Sequence, residues 1–159
     1  LIKEIEDVVK NSFKEAYDEI DKNFNYMCKE ILNNSIGNLS LLDETDLLES
    51  GVELMVKFKN KKYQSLSLLS GGEKSMVAVA LIMAIFMYKP SPFTFFDEIE
   101  AALDESNTKR LLRKLKEFTD RSQFILITHN KHTMKESDQL YGVTMNKEIG
   151  ESKILSVVL

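Results

Sequence analysis

Apolar residues recur at steps of three and four along the first 34 positions. Ile2, Ile5, Val9, Phe13, Ala16, Ile20, Phe24, Met27 and Ile31 form one seam with Lys and Glu between them, which predicts a helix from residue 1 to about residue 34. The seam fits the end of a coiled-coil arm as well as it fits an amphipathic helix on a globular core. No cap or loop precedes Leu1, as expected of a helix that starts further upstream. Gly37 is expected to end the segment. The period then changes to two: Val52, Leu54, Val56 and Phe58 alternate with Glu53, Met55 and Lys57, a half-buried strand with a turn at Asn60-Lys61-Lys62 and a second run from Gln64 to Leu69. That hairpin leads into Ser70-Gly71-Gly72. The run from Met76 to Tyr88 is apolar on nearly every side, so a helix buried centrally is expected there, stopped by Pro90 and Pro92.

Beyond the prolines the pattern becomes α/β. Phe93-Thr94-Phe95-Phe96 is a continuous apolar run of the kind a parallel strand covered on both faces shows. A helix fits Asp104 to Thr119, with Leu111, Leu112, Leu115 and Phe118 on one face and Asp104 placed to cap it. Phe124 to Ile127 is the next covered strand, and later strands fit Leu140 to Met145 and Lys153 to Leu159. Strand, helix, strand points to a parallel sheet, whose ligands sit at the carboxyl ends of the strands. Two polar clusters, Asp97-Glu98 and Thr128-His129-Asn130, fall at such ends.

Composition narrows the chemistry. The 159 residues suffice for one domain with a real core. A net charge of −4 argues against a dedicated nucleic-acid module, which needs a clustered Lys/Arg excess. Cys28, the single cysteine, excludes an internal disulfide and a thiolate metal cluster, and the two histidines, His129 and His132, make a metal site of their own unexpected. Met76 to Tyr88 is too short to span a bilayer and no basic-then-apolar leader opens the chain, so a soluble cytoplasmic protein is expected.

The glycine turn and the two strand ends carry the candidate chemistry. Adjacent glycines let the backbone approach a ligand closely, and the helix start that follows aims unpaired N–H groups and a partial positive charge at it. Ser70 and Glu73 also have the S-x-x-E spacing of a capping box, which begins many helices that bind nothing. Asp97-Glu98 are what nucleotide hydrolysis needs: one carboxylate to organise the water shell of Mg²⁺ and a neighbour to orient the attacking water. Three polar elements, Ser70-Gly71-Gly72, Asp97-Glu98 and His129, thus follow one another in the order of an ABC-type ATPase. No G-x-x-x-x-G-K-[ST] loop occurs, since Gly72-Glu73-Lys74-Ser75 has Glu between Gly and Lys.

The segments Leu68 to Ser75, Lys89 to Phe93, Phe96 to Asn107, Gln123 to Lys131 and Tyr141 to Met145 resemble the C-terminal half of an SMC (structural maintenance of chromosomes) protein head. The resemblance runs from about Val52 to Leu159 and implies two parts: a helix over residues 1–34 where the coiled-coil arm enters the head, and a C-terminal ABC ATPase lobe over 35–159. It implies that Asp97 holds Mg²⁺ through water, that Glu98 is the catalytic base, and that His129 senses the γ-phosphate of ATP. Leu103 and Asp104 resemble the D-loop, which crosses the dimer interface. Ser70, Gly71, Gly72 and Glu73 resemble the signature motif, which in that family touches ATP held by the opposite head.

ATP and Mg²⁺ are the implied cofactors. The implied partners are the N-terminal lobe of the same SMC protein, which carries the missing phosphate loop, a second SMC head, a kleisin subunit, and DNA through the assembled complex. No membrane partner is implied. The location is the cytoplasm, at the nucleoid, in a prokaryote, and the nucleus in a eukaryote. Coiled-coil double-strand-break repair ATPases share the architecture and are the nearer alternative. Their usual Asp-Glu-Pro pattern is absent here, where Ile99 follows Glu98. A module that only docks a kleisin is the other. Lys57 to Tyr63 departs from the family's usual Pro-Pro-Gly-Lys turn.

Overall fold

The computed structural model describes residues 2–43, 45–146 and 149–158. The seam at the N-terminus forms α1, Ile2–Ile31, about 45 Å long at 1.5 Å per residue. Its two halves differ. Ile2, Ile5, Val8 and Val9 are exposed, whereas Phe24, Met27, Cys28 and Ile31 are buried in the core. Asn33 and Asn34, both with positive φ, end it, consistent with the tolerance of asparagine for the left-handed region.

The chain then builds a three-stranded antiparallel sheet in the order β1-β2-β3, with β1 Ile36–Leu41, β2 Val52–Lys57 and β3 Gln64–Ser65. β1 was not expected. Gly37, read as a stop, lies inside it, opposite Val56, and its lack of a side chain lets β1 lie against Phe24 and Cys28 of α1. The second hairpin run is also shorter than expected: after β3 the chain tightens into a 3₁₀ turn over Leu66–Leu68.

Next comes α2, Gly71–Tyr88, the longest helix after α1, which packs against it. Val77, Ala80, Met83 and Ala84 are buried, but Ile82, Ile85 and Tyr88 are exposed, so the expectation of burial on nearly all sides is corrected to burial on one side. By length and composition α2 could cross a membrane. It packs along α1 and carries a polar capping box at its start.

β4 (Phe93–Asp97) and β5 (Gln123–Ile127) pair in parallel around α3 (Glu105–Glu117), with Phe96 opposite Leu126 and Asp97 opposite Ile127. One face of this pair is core: Phe96 and Phe124 stack with centroids 6.0 Å apart, and Phe86 of α2 lies 5.4 Å from Phe124. The other face is open. Phe93, Phe95, Ile125 and Ile127 are exposed, so the expectation of strands covered on both faces is corrected as well. A short helix, α4 (Lys131–Lys135), and an antiparallel hairpin of β6 (Gln139–Asn146) and β7 (Glu151–Val158) complete the chain. Leu159, to which the last strand was expected to run, lies outside the described residues.

A buried ammonium ties α1 to α3. Lys114 Nζ lies 2.8 Å from Glu30 Oε2 and 2.7 Å from Glu117 Oε2, and donates to Tyr26 Oη at 2.7 Å. Burial lowers its pKa, but the two carboxylates and the phenol outweigh that and raise it. On α1 between Tyr26 and Glu30, desolvation pushes the Cys28 thiol up to about 12.

Candidate functional site

Chemistry gathers where β4 and β5 end. The Glu98 N–H donates to Ile127 O at 2.9 Å, extending the ladder one residue past β4. There the backbone turns sharply, because Glu98 has φ of 46°, in the left-handed region that a residue with a Cβ rarely occupies. This turn sends its side chain to His129 at the end of β5, with Nδ1 3.1 Å from Glu98 Oε1. A carboxylate can only accept, so Nδ1 carries the proton and Nε2 stays available. Both side chains are mostly exposed, His129 at 78% and Glu98 at 53%. Asp97, at the end of β4, is exposed on the face it shares by alternation with Phe93 and Phe95.

Glu98, Leu103, His129 and Asn130, together with Glu100 and Ala101, line a small cavity of about 110 Å³. Leu103 is held by its N–H donating to Glu100 O at 2.9 Å, and Ala101 by its N–H donating to Glu98 O at 2.9 Å. Asp104 caps α3, its Oδ1 accepting from Asn107 N–H at 2.7 Å, a role that Asp fills well at a helix start.

Sequence reasoning passed over Glu100. It is 5% exposed, and its Oε1 accepts from Thr133 Oγ1 at 2.9 Å and from Thr128 Oγ1. Thr128 Oγ1 in turn accepts from Asn130 N–H at 2.9 Å, and Asn130 caps α4 through its side chain. One buried carboxylate therefore ties the loop after β4 to the loop after β5 and to α4, holding the backbone on either side of Glu98 and His129. The third acid in Asp97-Glu98-Ile99-Glu100 was its only trace in the sequence.

The glycine turn forms a second part of the site, and Ser70 to Glu73 do not line the cavity. Ser70 is the N-cap of α2: Glu73 N–H donates to its Oγ at 3.4 Å, and Ser70 N–H donates to Glu73 Oε2 at 3.0 Å, a complete capping box. Both glycines are exposed. A Cβ at Gly71 would meet nothing within 4 Å, and one at Gly72 would lie 3.9 Å from the nearest atom, Ala102 O. The glycine turn thus lies beside the loop that carries Leu103. α2 and α3 also touch through Asn107 Nδ2 and Met76 Sδ at 2.9 Å.

Among the described residues no group of three or more His, Cys, Asp or Glu could hold a metal ion directly. The carboxylates at the strand end suit Mg²⁺, which keeps several waters and binds through one or two carboxylates plus phosphates.

Over residues 5–151 the chain matches the family described as the RecF/RecN/SMC N terminal domain. The chromosome partition protein Smc of Fusobacterium nucleatum subsp. nucleatum is 66% identical over 156 residues, which are 98% of this chain and 13% of that protein. Among solved structures the chain is similar to the Smc head domain with an extended coiled coil bound to the C-terminal domain of ScpA from Pyrococcus furiosus, with a TM-score of 0.88, 36% identity and coverage of 99% of this chain and 39% of that one. It is also similar to a chain from work on ATP-driven dimerisation and DNA-stimulated activation of SMC ATPases, with a TM-score of 0.84, 34% identity and coverage of 93% and 89%.

Proposed function

Since the chain belongs to the RecF/RecN/SMC family, we propose that it is the C-terminal lobe of the ABC-type ATPase head of an SMC chromosome-partition protein. The chain spans 13% of the length of the Fusobacterium relative, so the activity proposed is that of a larger assembly. ATP binding drives two heads together and hydrolysis releases them, while DNA is organised by the complete complex. The observation that carries this reading is the contact of Glu98 with His129, 3.1 Å across the ends of two parallel strands and beside Asp97.

Each residue has a role that its chemistry permits. Asp97 would hold Mg²⁺ through its water shell, and Mg²⁺ supplies neutralisation of the charge on the phosphate oxygens. Glu98 orients the attacking water and accepts its proton. His129 holds the Glu98 carboxylate through Nδ1–H, and in the imidazolium form its Nε2–H donates to a phosphate oxygen. Glu100 steadies both loops. Ser70, Gly71, Gly72 and Glu73 receive ATP bound to the opposite head, with Ser70 and Glu73 closing the cap and the N–H groups of Gly71 and Gly72, which the first turn of a helix leaves without a carbonyl partner, meeting the phosphate. Leu103 and Asp104 face that head as the D-loop.

Partners follow from what the lobe leaves open. The exposed apolar face of β4 and β5, with Phe93, Phe95, Ile125 and Ile127, fits a second layer, because a parallel sheet is stable with both faces covered. We assign that layer to the N-terminal lobe of the same protein, which also supplies the phosphate loop. A kleisin is the second partner, in keeping with the ScpA-bound Pyrococcus head. Residues 1–34 form the root of the coiled-coil arm and 35–159 the lobe proper. A bacterial protein of this kind works in the cytoplasm at the nucleoid.

ATP turnover by the purified chain, alone and mixed with its N-terminal lobe, tests the reading. The chain alone is expected to be inactive and the mixture active. Robust hydrolysis by the chain alone, or none in the mixture, overturns it.

A further inference from the structure

The cap of α2 and the ligand proposed for it make opposite demands on Glu73. The capping box needs a carboxylate or carboxamide at this position, yet a carboxylate next to Gly72 repels any phosphate brought to the same turn. The two carboxylate oxygens divide the task. Oε2 serves the cap, accepting from Ser70 N–H at 3.0 Å and Ser70 Oγ at 2.9 Å, while Oε1 lies 2.7 Å from Lys61 Nζ.

Lys61 comes from the turn between β2 and β3, twelve residues before Glu73 in sequence. Its backbone N–H donates to Phe58 O at 3.0 Å, and its ammonium lies 5.6 Å from the centroid of the Phe58 ring. These contacts aim the side chain at the start of α2. Lys57, from the same basic stretch, is engaged elsewhere, 5.7 Å from the Tyr63 ring. The hydrogen bond from Lys61, with those from Ser70, holds the Glu73 carboxyl down at about 2, so the contacts at this turn favour its charged form.

We infer that Lys61 is a positioning residue of the glycine turn: it neutralises Glu73, so that the N–H groups of Gly71 and Gly72 accept a nucleotide phosphate carried by a second head. The inference rests on the reading above that these glycines meet ATP in trans. It gives the Lys-rich turn a part in head engagement. An exposed ion pair contributes little to folding stability, so the effect belongs to binding.

A double-mutant cycle in the full-length protein tests it, in a Glu98→Gln background that blocks turnover. ATP-dependent dimerisation is measured by sedimentation at several salt concentrations, with melting temperature alongside. Lys61→Met should weaken dimerisation about tenfold at low salt and less at high salt, with melting unchanged, and Lys61→Arg should restore it. In a Glu73→Gln background, which keeps the cap without the charge, adding Lys61→Met should cause no further loss. Dimerisation of Lys61→Met equal to its parent overturns the inference, as does a loss of the same size whether Glu73 is intact or replaced by glutamine. A parent that does not dimerise on ATP refutes the reading in trans itself, a result distinct from either.

Discussion

Alanine at Gly71 and Gly72 should set folding against function. Neither glycine has positive φ, and a methyl group at either has room, since the nearest atom to a Cβ at Gly72 is 3.9 Å away and none lies within 4 Å at Gly71. The fold itself therefore has no use for two glycines in the first turn of an 18-residue helix. Each replacement should stabilise the chain by about 0.4–1 kcal/mol, because alanine loses less backbone freedom on folding. For a domain of this size that corresponds to roughly 1–4 °C in Tm per substitution. Engagement should move the other way. A methyl group standing where phosphate oxygens approach the backbone lengthens charge-assisted hydrogen bonds worth about 1.5–3 kcal/mol each, enough to reduce ATP-dependent pairing tenfold or more. Thermal unfolding of the chain and sizing of the full-length Glu98→Gln protein with ATP measure the two effects. A lower Tm would mean the glycines answer an internal need. A stable variant that still pairs fully would mean nothing approaches the turn.

Three further outcomes follow from single contacts. Ser70→Ala should lose about 1 kcal/mol of stability with its cap; Ser70→Asp keeps an acceptor for the Glu73 N–H but sets a second carboxylate against Glu73 Oε2, to which Ser70 Oγ donates at 2.9 Å, so it should melt below its parent and also fail to dimerise on ATP, and dimerisation of Ser70→Asp equal to its parent reduces Ser70 to a cap. Gly37→Ala places a Cβ against Cys28 Sγ and 2.7 Å from Phe24 Cε1 and should destabilise by about 1–3 kcal/mol, seen as a lower urea midpoint; an unchanged midpoint would show that β1 does not press on α1. The Glu73 carboxyl titrates at about 2, below its ordinary 4.5, so its contribution is complete above pH 4.5 and is lost as pH falls toward 2. Glu73→Gln should accordingly lose less stability than its parent as pH falls from 4.5 toward about 2 in urea titrations.

The elements with a clean period were legible in the sequence. α1 and α3 follow their seams, Asp104 caps where a cap was expected, and the two polar clusters stand at the ends of parallel strands. β1 was hidden because Gly37, Asn38 and Ser40 interrupt its alternation, and because the reason for Gly37, a close approach to α1, is tertiary. Hydrophobicity overstated burial at Ile82, Ile85, Phe93 and Phe95. Phe93 and Phe95 are apolar for a surface that, on the reading proposed, another lobe covers, and a pattern along one chain does not separate a core from an interface. In the site, residue type and spacing pointed to Asp97, Glu98 and His129. The left-handed turn at Glu98 and the buried clasp of Glu100 on Thr128 and Thr133 depend on loops meeting in space, as does the reach of Lys61 to Glu73.

On the function proposed, two adjacent carboxylates divide the work of one ATPase site. Nucleotide binding and dimer population, measured together on the full-length protein carrying Asp97→Ala or Glu98→Gln, test it most directly. Glu98→Gln keeps the shape of the site and removes the charge that orients water, so ATP should still bind and engaged dimers should accumulate. Asp97→Ala removes the anchor of the metal's water shell, so Mg·ATP binding should weaken and dimers should not accumulate. Identical behaviour of the two variants would contradict the account.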